Sequence, residues 1–179
     1  MTKIGNVYGE ALYSLACEQT QSDAVLQELT VLEQSFSQDP DFSRLLDAPN
    51  LSKEERCRIL DDCFREKLQP YVLNFMKILA EKRYFRHFGE CCAAYRACYN
   101  EDHGILPVTA VTPVPLSRSQ HAALAEKLAA VTGKTIQLHN RIDESVLGGI
   151  RLDYSGIRLD DTLAHRLDDI RAKLKETVL

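Results

Sequence analysis

The chain has 179 residues, of which 45% are hydrophobic and 27% charged, as expected for a globular protein long enough to bury a core. Its net charge of -4 excludes an overall basic field of the kind that attracts nucleic acid or anionic membranes. The sequence contains no apolar run of about 18 residues, and its first ten residues lack the apolar stretch of a secretory signal, so it predicts neither a membrane span nor export.

The residues before Gly104 carry a helical apolar pattern almost throughout, which predicts about six helices packed as an antiparallel bundle. The first predicted helix covers residues 4–19. Its apolar residues form one broad stripe of Ile4, Val7, Tyr8, Ala11, Leu12 and Leu15. The other helices are predicted over residues 22–37, 39–46 and 52–64, from Pro70 past Leu79, and over residues 83–100.

Local signals mark the starts of several of these helices. Ser22 is a predicted N-cap, Ser52 with Glu55 forms a predicted capping box, and Pro70 fits a first helical turn. Helices this short are marginal when isolated. We therefore expect them to pack on each other, with stripes that are wide or two-sided.

The pattern becomes mixed after residues 103–107, where a glycine and a following proline indicate a domain boundary. Residues 108–112 are β-branched and predict a strand. Residues 135–142 alternate, with Ile136, Leu138 and Ile142 facing one way. Between these strands, Ser117 caps a predicted helix whose apolar face carries Leu124, Leu128 and Val131.

The last part of the chain predicts a hairpin and a helix. Residues 150–153 and 157–160 predict two short strands joined by a turn that contains Gly156. A final amphipathic helix is predicted from about Thr162. Its apolar face is formed by Leu163, Leu167, Ile170, Leu174 and Val178.

Six cysteines lie in the first hundred residues, and none forms a CxxC pair. They are Cys17, Cys57, Cys63, Cys91, Cys92 and Cys98. In a chain without an export signal we expect free thiols, which pack as small apolar side chains when buried.

Gly133-Lys134-Thr135 resembles part of a phosphate-binding loop, but its surroundings exclude that site. The motif needs a glycine five residues before Gly133, where Leu128 stands. A P-loop also follows a strand and opens a helix, whereas here a predicted helix precedes and a predicted strand follows. We therefore interpret Gly133 as the C-cap of the preceding helix.

His87, Cys91 and Cys98 share a predicted helical face, with Cys92 adjacent, and soft ligands on one face are one way to hold zinc. Structural zinc sites draw their ligands from two elements, and the sequence has no second ligand pair. We therefore expect no metal and no cofactor.

Two other function classes remain as alternatives to a binding protein. One is a helical enzyme or metal-binding regulator that uses the face of His87 and Cys91. The other is an RNA-binding module built on the basic and aromatic residues 82–87, which the acidic composition disfavours. The sequence contains no GxSxG, HExxH or glycine-rich strand-to-helix motif of common enzyme classes.

Four further motifs occur in order along the chain. They are YGEALYSLA at residues 8–16, LLDAP at 45–49, NFMKILAEKRY at 74–84 and IDESVLGGI at 142–150. In kind, order and spacing they resemble the delta subunit family of F-type ATP synthases, whose mitochondrial counterpart is the oligomycin-sensitivity-conferring protein. The resemblance covers essentially the full length. One departure is that many members have Asp-Gly-Ser before the last helix, where this chain has Asp160-Asp161-Thr162.

The resemblance and the patterns together predict an α+β fold that is predominantly α, with a helical bundle at residues 1–104 and a small mixed domain at 105–179. The resemblance implies a non-catalytic stator subunit that links the catalytic head to the peripheral stalk. Such a subunit resists rotation of the head during proton-driven ATP synthesis, and it lies at the cytoplasmic face of the bacterial membrane as part of the complex.

The partners that the resemblance implies are the N-terminal segments of the alpha subunits and the ends of the b subunits. An alpha segment would bind as an amphipathic helix in a groove of the bundle, and the residue pattern points to the first and fifth helices as its walls, with residues Tyr8, Ala11, Leu12, Leu15, Asn74, Phe75, Ile78 and Leu79. Either a groove or a core role fits Tyr8 and Phe75, whereas the core is favoured for Leu12. For the b subunits the resemblance points to the C-terminal domain, and the residues predicted there are Gly148, Gly149, Leu163 and Leu167.

Overall fold

The computed structural model describes residues 2–146, 148–154 and 156–162 of the chain. The chain divides between Tyr99 and Asn100 into two compact units, residues 1–99 and 100–179. The first unit is built from helices and the second contains a four-stranded sheet. The predicted α+β fold, predominantly α, is therefore confirmed.

Six α-helices precede the first strand in the described part of the chain, as predicted. They are α1 (Lys3–Glu18), α2 (Ser22–Gln38), α3 (Pro40–Leu46), α4 (Lys53–Phe64), α5 (Pro70–Glu81) and α6 (Phe88–Asp102). A single 3-10 turn at Phe85–His87 joins α5 to α6.

The predicted helix starts are partly correct. The capping box of α4 is present, with the Ser52 hydroxyl accepting from the Glu55 N–H at 3.2 Å and the Glu55 carboxylate accepting from the Ser52 N–H at 2.8 Å. The prediction of Ser22 as an N-cap is wrong by one residue. Gln21 holds that position, because the Gln21 carbonyl accepts the first helical hydrogen bond, from the Val25 N–H at 3.0 Å.

The last helix of the first unit begins at Phe88 and not near Arg83 as predicted. Arg83 has a φ of 58°, a left-handed conformation that ends α5. The Asp47 carboxylate then accepts hydrogen bonds from the N–H groups of Phe85 and Arg86, at 3.1 and 2.9 Å. These bonds hold the chain in a tight turn before α6 begins.

The core of the first unit is formed by side chains from all its long helices. Fully buried members include Val25 and Leu29 of α2, Met76 and Leu79 of α5, and Tyr95 of α6. A group of phenylalanines adds edge-to-face and stacked contacts, with ring centroids 5.2 to 6.3 Å apart. Its members are Phe36, Phe42, Phe64, Phe75, Phe85 and Phe88.

The second unit contains a mixed sheet with one helix between its first two strands. Its elements are β1 (Ile105–Thr112), α7 (Arg118–Thr132), β2 (Thr135–Ile142), β3 (Arg151–Tyr154) and β4 (Ile157–Asp160). The strand order is β2-β1-β3-β4, with β1 and β2 parallel and the other two pairs antiparallel. The predicted hairpin with Gly156 in its turn is confirmed by the pairing of β3 with β4.

Two predictions for this unit need correction. The strand β1 begins three residues earlier than predicted and includes Pro107, which is tolerated because β3 pairs with residues 109–111 alone and leaves that side of β1 open. In α7, Leu124 and Leu128 of the predicted apolar face pack against buried residues of the sheet, but Val131 is 86% exposed. The predicted final helix, with Leu163 and Leu167, lies outside the described residues.

Candidate protein-binding groove

A close contact between α1 and α6 decides which face of α1 is buried. The buried residues of α1 are Gly5, Gly9, Leu12, Tyr13 and Ala16. A Cβ atom added to Gly9 would lie 2.4 Å from the Cys91 carbonyl oxygen and 2.7 Å from the Ala94 Cβ. The two helix backbones therefore approach each other more closely than any larger residue would permit.

Hydrogen bonds also hold the start of α1 against α6. The Thr2 hydroxyl caps α1 by accepting from the Gly5 N–H at 3.3 Å. The Thr2 N–H donates to the Glu90 carboxylate at 2.9 Å, and the Thr2 hydroxyl also bonds to that carboxylate. These hydrogen bonds lower the pKa of the Glu90 carboxyl below its ordinary value, the hydroxyl bond being the largest cause.

This packing corrects the predicted stripe of α1. Val7 is 55% exposed and Leu15 38% exposed, and Ala11 is also exposed, so the predicted stripe is not buried across its whole width. The small residues of α1 face α6 instead, and part of the large apolar stripe is left at the surface. That exposed part forms one wall of a groove.

The second wall is α5, which is held at both ends. At its start, Pro70 occupies the first turn and the Glu28 carboxylate accepts from the Gln69 N–H at 3.1 Å. Burial raises the pKa of Glu28, and the Gln69 hydrogen bond opposes that rise. At its end, the guanidinium of buried Arg56 donates to the Ala80 carbonyl, which satisfies one of the last backbone acceptors of the helix.

The two walls run antiparallel, because each end of the groove joins the start of one helix to the end of the other. At one end the Tyr8 ring meets the Tyr84 ring edge to face, with centroids 6.3 Å apart. At the other end the Tyr71 hydroxyl donates to the Gln19 side-chain carbonyl at 3.3 Å. Between these contacts lies a predominantly apolar groove of about 260 Å³.

Seven of the eight residues predicted for the alpha subunits line this one groove. They are Tyr8, Ala11, Leu12, Leu15, Asn74, Phe75 and Ile78. Leu12 and Phe75 are 4% and 6% exposed and form its floor, so each serves the core and the groove together. Tyr8 is half-buried, and Leu15 and Ile78 stand at the rim.

One predicted residue is misplaced and one lining residue was missed. Leu79 is fully buried in the core and does not line the groove, because it projects from α5 toward the centre of the bundle. Tyr71 lines the groove but was not predicted. The sequence spacing could have predicted this position, because Tyr71, Asn74 and Ile78 follow the i, i+3, i+7 pattern of one helical face.

Of the residues predicted for the b subunits, Gly148 and Gly149 lie in the described part of the chain. Gly149 has a φ of 86°, and a Cβ there would lie 2.3 Å from the Asp161 carbonyl oxygen, so this glycine permits close packing of two backbone segments. Gly148 precedes it with a φ of 142°. Leu163 and Leu167 lie outside the described residues.

The candidate metal face does not assemble a ligand set within residues 2–146, 148–154 and 156–162, where no group of three or more potential ligands occurs. The Cys91 side chain is buried, and burial raises the pKa of its thiol to about 11, which disfavours the thiolate that a metal requires.

Gly133, which resembles part of a phosphate-binding loop in the sequence, is the left-handed C-cap of α7, as predicted, with a φ of 68°.

No helix in the described part of the chain is long and apolar enough to cross a membrane.

Comparison with known proteins identifies the family. The family model of the ATP synthase delta (OSCP) subunit matches residues 4–174. The chain is 27% identical over 176 residues to ATP synthase subunit delta of Clostridioides difficile, covering 98% of this chain and 97% of that protein. It is 31% identical to ATP synthase subunit delta of Lactobacillus johnsonii, covering 97% and 96% of the two chains.

A solved structure shares the fold. It is a chain of the Toxoplasma gondii mitochondrial ATP synthase hexamer, with a TM-score of 0.78, 19% identity, and coverage of 97% of this chain and 98% of that one. The chain therefore belongs to the ATP synthase delta (OSCP) subunit family, and it is a non-catalytic component of the stator, or peripheral stalk, of an F-type ATP synthase.

Proposed function

We propose that the groove between α1 and α5 binds the N-terminal segment of an alpha subunit as an amphipathic helix, while the C-terminal unit contacts the ends of the b subunits. The chain then couples the catalytic head to the peripheral stalk at the cytoplasmic face of the bacterial cell membrane. Its association with the membrane is through the complex.

The observation that carries the proposal is the matched pair of groove walls. On α1 the lining residues Tyr8, Ala11 and Leu15 are spaced i, i+3, i+7, and on α5 Tyr71, Asn74 and Ile78 have the same spacing. Each wall therefore extends about 10 Å, or two helical turns, along the surface. An amphipathic helix buries its own residues at that spacing, so its apolar stripe matches the groove in length.

Size and chemistry of the side chains support the same occupant. Ala11 is small and lies between the larger Tyr8 and Leu15, which leaves room for a helix to approach α1 closely. The Tyr8 and Tyr71 rings stand at opposite ends of the groove and combine large apolar surfaces with polar tips, as binding hot spots often do. The exposed Ile78 and Leu15 gain burial when the groove is filled.

Replacing Tyr8 with alanine tests the alpha-subunit contact. Truncating an aromatic hot spot usually costs about 2 kcal/mol of binding free energy, so Tyr8→Ala should weaken binding of an alpha N-terminal peptide about thirtyfold. Isothermal titration calorimetry with the full chain measures this affinity, and a thermal melt checks that the fold survives. Unchanged affinity in a folded variant would place the peptide outside the groove.

Two variants control this experiment. Tyr8→Phe keeps the ring and its contact with Tyr84, so it should retain most of the affinity. Val7→Ala alters an exposed apolar residue of α1 that does not line the groove, so it should leave binding nearly unchanged. Binding of a b-subunit fragment should be the same for all these variants. A loss of b-subunit binding in folded Tyr8→Ala would contradict the assignment of one partner to each unit.

A further inference from the structure

Three exposed basic residues lie in the short turn between α5 and α6. They are Lys82, Arg83 and Arg86, and we call them the basic turn. None of the three forms an ion pair with a described residue. The chain as a whole has a net charge of -4, so this local excess of positive charge departs from its overall balance. The fold itself gives these charges no partner.

Two carboxylates beside the basic turn are already engaged. Glu81, which precedes the turn, is bonded to the Lys53 ammonium group at 2.9 Å. The two oxygens of Asp47 accept hydrogen bonds from the backbone N–H groups of Phe85 and Arg86, at 3.1 and 2.9 Å. These carboxylates hold the turn in place, and the side chains of the basic turn remain available to another molecule.

Arg83 occupies a backbone position that favours glycine, because its φ of 58° is left-handed. The Tyr84 N–H donates to the Leu79 carbonyl at 2.8 Å, and the Arg83 N–H donates to the Ala80 carbonyl at 3.2 Å. This is the hydrogen-bond pattern of the Schellman motif, in which glycine is usual at the position of Arg83. Local rules of this kind are broken most often at functional sites, which favours a binding role for the Arg83 side chain.

The aromatic residues of the same segment are not available to stack on nucleobases. Phe85 is 1% exposed, and the Tyr84 ring contacts the rings of Tyr8 and His87 edge to face. Binding of single-stranded RNA depends on exposed aromatic rings and on more phosphate contacts than about three cations provide. Recognition of anionic membranes typically uses about four to eight basic residues. The basic turn therefore fits an acidic protein surface better than RNA or a membrane.

We propose that the basic turn binds a carboxylate-rich surface of the catalytic head, at a contact separate from the groove. The proposal rests on the proposed function, which places a segment of the head in the groove. Tyr84 lies within the turn and contacts Tyr8 of the groove wall, so a head held at the groove lies beside the basic turn. Arginine pairs with carboxylates through two parallel hydrogen bonds, and exposed charges of this kind chiefly accelerate association.

Arg83→Gly tests the proposal, because it removes the charge and relieves the backbone together. The variant should raise the folding equilibrium constant by up to about fivefold, measured by urea denaturation. It should slow association of the full chain with the purified catalytic head about threefold at an ionic strength of about 0.01 M, measured by surface plasmon resonance. Adding Lys82→Gln and Arg86→Gln should slow association about tenfold, and both effects should shrink at about 1 M salt.

Thr20→Gly is the matched control. Thr20 has a φ of 57° and occupies the same motif at the end of α1, where the Gln21 N–H donates to the Ala16 carbonyl at 2.9 Å. This variant should gain similar stability and leave association with the head unchanged. Arg83→Lys keeps the charge and should retain most of the association rate. Arg83→Gly should bind an isolated alpha N-terminal peptide as the parent chain does, because the basic turn does not line the groove.

An unchanged association rate in the triple variant would overturn the proposal, as would an equal loss of affinity for the isolated peptide. Binding of the parent chain to single-stranded RNA or to phosphatidylglycerol vesicles at about 0.15 M salt, lost in the triple variant, would assign the basic turn to a different partner and also overturn it. If the head binds the chain but the peptide does not, the proposed groove function fails, whereas the association rates still decide the role of the basic turn.

Discussion

Substitution of Gly9 by alanine is the sharpest test of how α1 is positioned. The added Cβ would lie 2.4 Å from the Cys91 carbonyl oxygen and 2.7 Å from the Ala94 Cβ. One of these atoms belongs to the α6 backbone and the other to a side chain with no rotamers, so neither can turn aside. Relief requires α1 and α6 to separate, which also disturbs the core beneath them.

The magnitude follows from two opposing effects. Overpacking a well-packed interior typically costs about 1–3 kcal/mol, and contacts this short place Gly9→Ala at the upper end of that range. Replacing glycine by alanine within a helix gains about 1 kcal/mol. We therefore expect the free energy of unfolding to fall by about 2 kcal/mol. Urea denaturation followed by tyrosine fluorescence suits the measurement, because six of the seven tyrosines lie in residues 1–99.

Gly89→Ala is the matched control. Gly89 is also helical, but the nearest atom to its added Cβ is a Glu33 carboxylate oxygen at 3.9 Å, an ordinary contact. This variant should be as stable as the parent chain or more stable, by up to about 1 kcal/mol. If Gly9→Ala proved as stable as Gly89→Ala, the close packing of α1 on α6 would be refuted.

Three further predictions concern the core, the sheet and the thiols. Leu79→Ala should lower the free energy of unfolding by about 2–5 kcal/mol because Leu79 is fully buried, whereas Ile78→Ala, at a 43% exposed groove position, should cost far less stability but weaken peptide binding. Gly149→Ala should destabilise the second unit by about 1–3 kcal/mol in urea denaturation, because its backbone is left-handed and its Cβ would clash. Iodoacetamide at about pH 8 should modify exposed Cys17 well before Cys91, because burial raises the pKa of the Cys91 thiol to about 11; peptide mass mapping checks this order.

Each of these predictions can be checked against a second residue or a second measurement on the same chain. Equal loss of stability for the Ile78 and Leu79 variants would show that both belong to the core. Gly133→Ala shares the left-handed backbone of Gly149 but meets no atom within 4 Å, so it should be the milder change. For Cys91, the folded pKa exceeds the ordinary value of 9.0, so its contribution to stability is intact below pH 9 and is lost as the pH rises toward about 11. Cys91→Ala should flatten that part of the stability profile.

The sequence by itself determined the helices, the strands and most of the candidate groove. Periodicity located α2, α4 and α5 to within one or two residues, and the alternation and glycine turn located the strands β2 to β4. These features follow from local rules, namely capping, side-chain period and turn chemistry, which act between residues close in the chain. The family resemblance indicated a binding role for the bundle, and the residue pattern of the first and fifth helices then indicated these two as the binding surface.

Only the tertiary structure decided which apolar face of α1 is buried. The predicted stripe of α1 did not separate buried from exposed residues: Val7, Ala11 and Leu15 are exposed, and α6 packs on the face that carries Gly5 and Gly9. A periodicity argument ranks side chains by their hydrophobicity, so it does not predict that glycine is buried. In the folded chain, however, glycine alone permits the close approach of two helix backbones, which favours its burial. The large residues displaced from that contact are the ones left at the surface. The sequence therefore indicated most of the groove residues, whereas long-range packing decided that this part of α1 remains at the surface.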